Sequence, residues 1–139
     1  MRPPEQVVRD FVLQWLEKAG KDLKAGEILL ESDLEDFDSV GFHAQQAAEK
    51  FIKSVLVHHQ IPFPKSHNIQ LLRGLVAEID KTLAERLSSA DSLTPFGVEF
   101  RYPGELEPVS RDQGLQAIQL ARQVREQAFS HLKGYLGSK

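Results

Sequence analysis

Apolar residues return along this chain every three or four positions, a spacing that predicts amphipathic helices. In the opening segment, residues 5–30, the stripe reads Phe11, Trp15, Ala19, Leu23 and Leu30. Pro3 and Pro4 precede it, and proline is tolerated in a first helical turn. Gly20 and Gly26 each weaken that helix by about 1 kcal/mol relative to alanine, so they are read as places of close packing rather than breaks. An acidic connection over 31–36 leads to a second helix over 39–60, with Ala44, Ala48, Phe51, Ile52, Val55 and Leu56 as its apolar stripe. Pro62 and Pro64 stop it. Ser66 or Asn68 caps a third helix with Ile69, Leu72, Leu75, Val76 and Ile79 on one face. A shorter helix follows over 82–93. Residues 94–108 hold Pro95, Gly97, Pro103, Gly104 and Pro108 and are read as one ordered loop, of a length that is often functional. Ser110-x-x-Gln113 has the form of a capping box. It opens a last helix carrying Leu115, Ile118, Ala121, Val124, Ala128, Leu132 and Tyr135.

No period-two alternation, internal repeat or low-complexity tract interrupts this pattern. Long helices with mostly short connections predict an all-α fold, an antiparallel up-and-down bundle of four to five helices. The 139 residues are the ordinary size of one domain, so residues 1–139 are expected to form a single unit. Composition narrows the chemistry. Hydrophobic residues make up 41% and charged residues 27%, a globular balance. The formal charge of −3 argues against nonspecific nucleic-acid wrapping but leaves room for a local basic patch. The absence of cysteine removes disulfides, thiolate metal sites and a cysteine nucleophile. No apolar run approaches the roughly 20 residues of a membrane span. No apolar signal core follows Met1-Arg2-Pro3-Pro4-Glu5, and the expectation is a cytoplasmic protein without membrane attachment.

Several constellations carry possible chemistry. Gln46, Glu49, Lys50 and Lys53 lie three or four residues apart, on one helical ridge expected to face outward. Such a ridge can offer ammonium groups and an amide to phosphate or to a partner's carboxylates. The plainer reading is an ordinary Glu49–Lys53 pair, worth about 0.2–0.5 kcal/mol. His67, at a helix start behind a proline turn, either meets an anion or fixes the turn by a hydrogen bond. Arg101 can clamp phosphate bidentately with Tyr102 stacking beside it, or can simply tie the loop to the bundle. Arg125 and His131 are an arginine and a histidine six positions apart. On an ideal helix that separation leaves them about 120° apart with roughly 9 Å of rise, so one phosphate needs a second subunit or a distortion. The plainer reading is a solvated helix edge. Adjacent His58 and His59 point about 100° apart, a poor metal pair, and suit the C-terminal dipole of their helix. No metal site, cofactor site or glycine-rich phosphate loop is expected.

Four segments, in order, carry a resemblance. They are Trp15-Leu16-x-x-Ala19-x-x-Asp22-Leu23 with Ala25 or Gly26 behind it; Phe42-His43-Ala44-Gln45-Gln46-Ala47-Ala48-Glu49-Lys50-x-x-Lys53; Pro64-x-Ser66-His67-Asn68-Ile69-x-x-Leu72; and Arg101-Tyr102-Pro103. Together they span nearly the whole chain, and the chain resembles the HEPN family. The resemblance implies a helical bundle that commonly dimerises and often partners a minimal nucleotidyltransferase, frequently as a toxin–antitoxin pair. It implies either nucleotide or RNA binding without catalysis, or a metal-independent endoribonuclease. Arg125 and His131 match the bare spacing of the ribonuclease branch, but Glu126 follows the arginine where that branch usually has Asn, Asp or His. Three readings stay open at this point. One is a homodimeric binding module using Gln46, Glu49, Lys50, Lys53, His67, Arg101 and Tyr102. The second is a ribonuclease toxin with His131 as acid or base and Arg125 stabilising the phosphorane. The third is a purely structural oligomerisation bundle.

Overall fold

The computed structural model describes residues 3–97 and 107–137. In them the chain forms α1 (Pro4–Glu31), α2 (Phe37–His58), α3 (Ile69–Ala77), α4 (Lys81–Arg86), a 3-10 helix (Ser88–Gly97) and α5 (Arg111–Leu136). No strand occurs among the described residues. The all-α bundle expected from periodicity is therefore the fold found.

Local chemistry explains the helix starts. Asp36 caps α2 by accepting from the Ser39 amide at 3.2 Å. Asn68 caps α3 through the Leu71 amide at 3.1 Å, and Ser66, two residues ahead of it, accepts from the Asn68 amide at 3.0 Å. Asp80 does the same for α4 through Leu83 at 3.0 Å. Ser110 and Gln113 form the full reciprocal capping box of α5, at 3.1 and 2.9 Å.

The end of α2 is a Schellman motif rather than a stop imposed by proline. Gln60 takes φ 56°. Its amide donates to the Val57 carbonyl and the Ile61 amide to the Leu56 carbonyl, both at 2.9 Å. The helix thus closes at His58, and Pro62 follows where no helix remains to break.

Helix α2 is the hub. It packs against α1, α3, α5 and the 3-10 helix. Its buried side chains run almost without interruption from Val40 to Leu56. In α1 the buried positions are Val12, Leu16, Ala19, Leu23, Gly26 and Leu30. Ala19, Leu23 and Leu30 are buried as expected, but the first part of the stripe is rotated by one position: Val12 is sealed at 0% exposure while Phe11 stands 51% exposed. The same spacing serves both stripes, and only packing against α2 chooses between them. Gly26 is a close-packing position as read from sequence, since a Cβ there would stand 2.8 Å from the Ile118 Cδ1 of α5. Gly20 is not, because nothing approaches within 4 Å.

The expected short helix over 82–93 is α4 followed by the 3-10 helix. The latter runs through Pro95 to Gly97, so the start of the expected 94–108 loop is helical. Thr94 Oγ1 accepts the Ile69 amide at 3.1 Å, and Arg73 grips Asp91 at 2.9 and 2.6 Å, which together dock the segment on α3. That hydrogen bond also raises the Arg73 pKa, so its charge is fixed. Arg122 joins α5 to Glu27 of α1 at 2.9 Å.

A left-handed residue with a side chain costs about 1–2 kcal/mol, and glycine returns part of that gain as chain entropy. Gln60→Gly is therefore expected to stabilise the fold by about 0.5–1 kcal/mol, read as a higher urea midpoint with an unchanged slope.

Candidate functional site

The ridge Gln46–Lys53 is not the outward surface expected of it. Gln46 is 9%, Glu49 2% and Lys53 6% exposed. The cause is the central place of α2, which leaves this stretch little solvated surface beyond Lys50. The polar groups are instead satisfied by one another. Lys53 Nζ donates to Glu49 Oε2 at 2.7 Å. Glu49 Oε1 accepts from Gln45 Nε2 at 3.1 Å and lies 2.9 Å from His67 Nδ1. Gln45 Nε2 also donates to the His67 carbonyl at 2.9 Å, and Gln46 Nε2 donates to Gln45 Oε1 at 2.8 Å. The plain Glu49–Lys53 pair does exist, but as a buried one, where removing a partner costs far more than on a surface.

Aromatic rings close the other side. Trp15 and Phe63 meet edge to face with centroids 6.2 Å apart, and Lys53 Nζ lies 5.4 and 5.5 Å from the two rings. Their quadrupoles supplement the carboxylate in holding the desolvated ammonium. His67 is the outer member of the set. Its side chain is 67% exposed while its partner carboxylate is 3% exposed. With Nδ1 committed to the Glu49 carboxylate, the imidazole is held in one orientation with the remainder of the ring facing solvent.

Lys50 turns the other way, to Asp22 Oδ2 of α1. Asp22 Oδ1 lies 3.0 Å from His43 Nδ1. Gln45, Asp22 and His43 were not among the expected site residues, although all three stand inside the quoted motifs. Asp22 had a legible signal: an acid in the first motif matched by a lysine in the second. Gln45 had none, because nothing in one sequence distinguishes an inward glutamine from its outward neighbour. Arg101 and Tyr102 lie outside the described residues.

The HEPN domain family model matches residues 12–131. The chain belongs to the HEPN family. It matches no curated protein and no solved structure. The matched span holds the whole buried network and reaches His131, so this HEPN chain carries its polar chemistry within the family core. No helix among its described residues is long and apolar enough to cross a membrane.

A second cluster of the HEPN bundle forms where the end of α2 meets the end of α5. His59 Nε2 and His131 Nε2 are 2.8 Å apart, so one ring donates and the other accepts. His131 Nδ1 faces Asp80 Oδ2 at 3.7 Å. Among the described residues, no hydrogen bond or ion pair joins His131 to Arg125. The rotation expected on the helix is what keeps them apart. His58 meets His59 edge to face and Tyr135 at a tilt, with centroids 4.6 and 4.2 Å apart. Neither His58 Nδ1 nor the Tyr135 hydroxyl has a hydrogen-bond partner among the described residues. No group of three or more His, Asp or Glu there is arranged to hold a metal ion.

Burial lowers the His58 pKa below the ordinary 6.5, with the neighbouring His131 adding to the effect. His59 is lowered by burial and then by His58 and His131, against an opposing pull from Asp80. A histidine depressed on folding binds protons more weakly in the native than in the unfolded chain. Its contribution is fully present above pH 6.5 and is lost as pH falls through the folded value. The urea midpoint should therefore decline below about pH 6.5, and His58→Phe should flatten that decline.

The two lysines separate a sealed pair from a partly open one. Lys53→Met, which strands the Glu49 carboxylate, is expected to cost about 3–5 kcal/mol. Lys50→Met, at a pair with 22% and 15% side-chain exposure, should cost about 1 kcal/mol in the same denaturation experiment.

Proposed function

We propose that this HEPN chain is a noncatalytic recognition module. It self-associates, works beside a minimal nucleotidyltransferase as one half of a toxin–antitoxin pair in the cytoplasm, and binds a nucleotide or RNA. The observation that carries this reading is the state of the ionisable groups. Lys50 is matched by Asp22, and Lys53 by Glu49. His131 is turned to His59 and Asp80 rather than to Arg125. Such an arrangement holds shape and presents an edge, with His67 as the exposed tip. It does not bring Arg125 and His131 to one atom, as a general base with a phosphorane-stabilising cation would require. Lys50, Lys53, Glu49 and Gln46 then act as the frame beneath the recognition edge, with His67, Arg101 and Tyr102 as its contacts.

A second reading, the metal-independent endoribonuclease using Arg125 and His131, is favoured by one observation. The 2.8 Å contact with His59 gives His131 a proton-exchanging neighbour, the kind of partner an acid–base group needs. In that case a second copy must supply the arginine.

One experiment separates the two. RNA is incubated in chelator with the wild-type protein and with His131→Ala, and the same samples are titrated calorimetrically with the nucleotidyltransferase. Recognition without catalysis predicts intact RNA in both and saturable partner binding in both. Cleavage by wild type that falls by about 100-fold or more in His131→Ala would move the assignment to the ribonuclease.

A further inference from the structure

The first turns of α1, the end of α2 and the last turn of α5 meet around a crevice of about 290 Å³ lined by Pro4, Glu5, Val8, His58, Gln60 and Tyr135. Little apolar surface closes this end of the bundle. No described residue before Val12 or after Leu132 is buried, and Val8, Tyr135 and Leu136 are only partly so. Polar and aromatic contacts hold the ends instead. Arg9 Nη1 donates to the Tyr135 carbonyl at 3.0 Å, and its guanidinium lies 5.4 Å from the Tyr135 ring centroid. The Tyr135 ring packs on His58, and His131 meets His59. Segments with few buried apolar contacts open locally at a lower free energy than the core.

Two features work against the closed arrangement. The His58 Nδ1 and the Tyr135 hydroxyl are sealed from water and have no hydrogen-bond partner among the described residues. Both recover hydration when the contact opens. The other feature is the 2.8 Å approach of His59 Nε2 to His131 Nε2. It is a hydrogen bond only while one of the two nitrogens is bare, and protonating both rings sets two N–H groups against each other. Charged groups surround these rings on three sides. Glu5 and Arg9 come from α1, and Asp80, at the start of α4, lies 3.7 Å from His131 Nδ1 with Arg86 on the same cleft. No ion pair joins Glu5 to His58. Asp80 favours a charged His59, but burial together with His58 and His131 outweighs it.

We propose that this end of the bundle is a proton-operated latch. Acidification releases the last turn of α5 from His58 and His59, and with it the first turns of α1, while the centre of α2 stays closed. The two ends move together because Arg9 ties them, one side chain holding both the carbonyl and the ring of Tyr135. The centre of α2 stays closed because its side chains are buried from Val40 to Leu56 and its charges are paired there. Proton uptake gives the direction. Once open, His58 and His59 are solvated and titrate near the ordinary 6.5, whereas in the closed bundle both are held lower by burial. Opening therefore takes up protons below pH 6.5. Between pH 7.5 and 5.5 the opening constant rises by up to about tenfold for each histidine. The latch goes beyond the recognition reading and does not rest on it.

Amide hydrogen exchange of the full chain at pH 7.5 and 5.5, corrected for the intrinsic pH dependence of exchange, reads the opening constant at each residue. Amides 8–11 of α1 and 133–136 of α5 are expected to open about 100-fold or more readily than amides 44–56 of α2 at both pH values. Both end segments should open at least about fivefold more at pH 5.5. His58→Phe combined with His59→Gln removes the two titrating rings while keeping an amide donor toward His131, and should abolish that rise. His58→Phe alone should leave part of it, which keeps the test readable if the double variant folds poorly. The latch is refuted if opening of the ends is unchanged between the two pH values. It is equally refuted if the ends open no more readily than the centre of α2, which is global unfolding, or if the double variant keeps the wild-type rise. A rise at 133–136 without one at 8–11 overturns the joint release through Arg9.

Discussion

The Glu49–Lys53 ion pair sits where water does not reach, and the surrounding architecture is arranged around that fact. A buried carboxylate and ammonium are tolerable only when each has further partners. Gln45 and His67 supply them for the carboxylate, and the rings of Trp15 and Phe63 line the ammonium. These partners come from α1, from α2 and from the segment between α2 and α3. The pair therefore dictates how three parts of the chain must meet. A hydrophobic pair in its place would hold the core together but would not orient the segment that carries His67.

The same helix organises the opposite end of the bundle by different means. There α2 terminates in a left-handed residue and a backbone motif, and its last two histidines meet His131 and Tyr135 of α5. Burial holds the His58 and His59 pKa values below the ordinary one, so protonating these two rings works against the packing. One helix thus carries a charge-neutralised network along its middle and a proton-sensitive contact at its end. The second makes stability depend on pH.

Functionally, the two clusters divide the residues that a HEPN chain offers. Cations of the central motif are spent internally, at Asp22 and Glu49, which turns attention from the ridge to its edge at His67. At the far end, His131 shares its surroundings with Arg86 and Thr82 of α4, with Ser130 beside it and with Gln127 one turn before it on α5.

Periodicity, capping residues and the ordered motifs were enough to read the helical class, the capping box at Ser110 and Gln113, the close approach at Gly26 and the family itself. These features are local or are carried by residue order, so one chain displays them. What only the tertiary structure decided was which face of each helix turns inward. Phe11 and Val12 are adjacent and both apolar, and Gln45 and Gln46 are identical in type, so spacing cannot rank them. The supposed outward ridge of α2 became interior because four other elements surround that helix. Likewise His59 and His131, 72 positions apart, share a proton only because two helix ends converge. Burial and pairing between distant residues arise from how elements pack, and that information is not held at any one stretch of the chain.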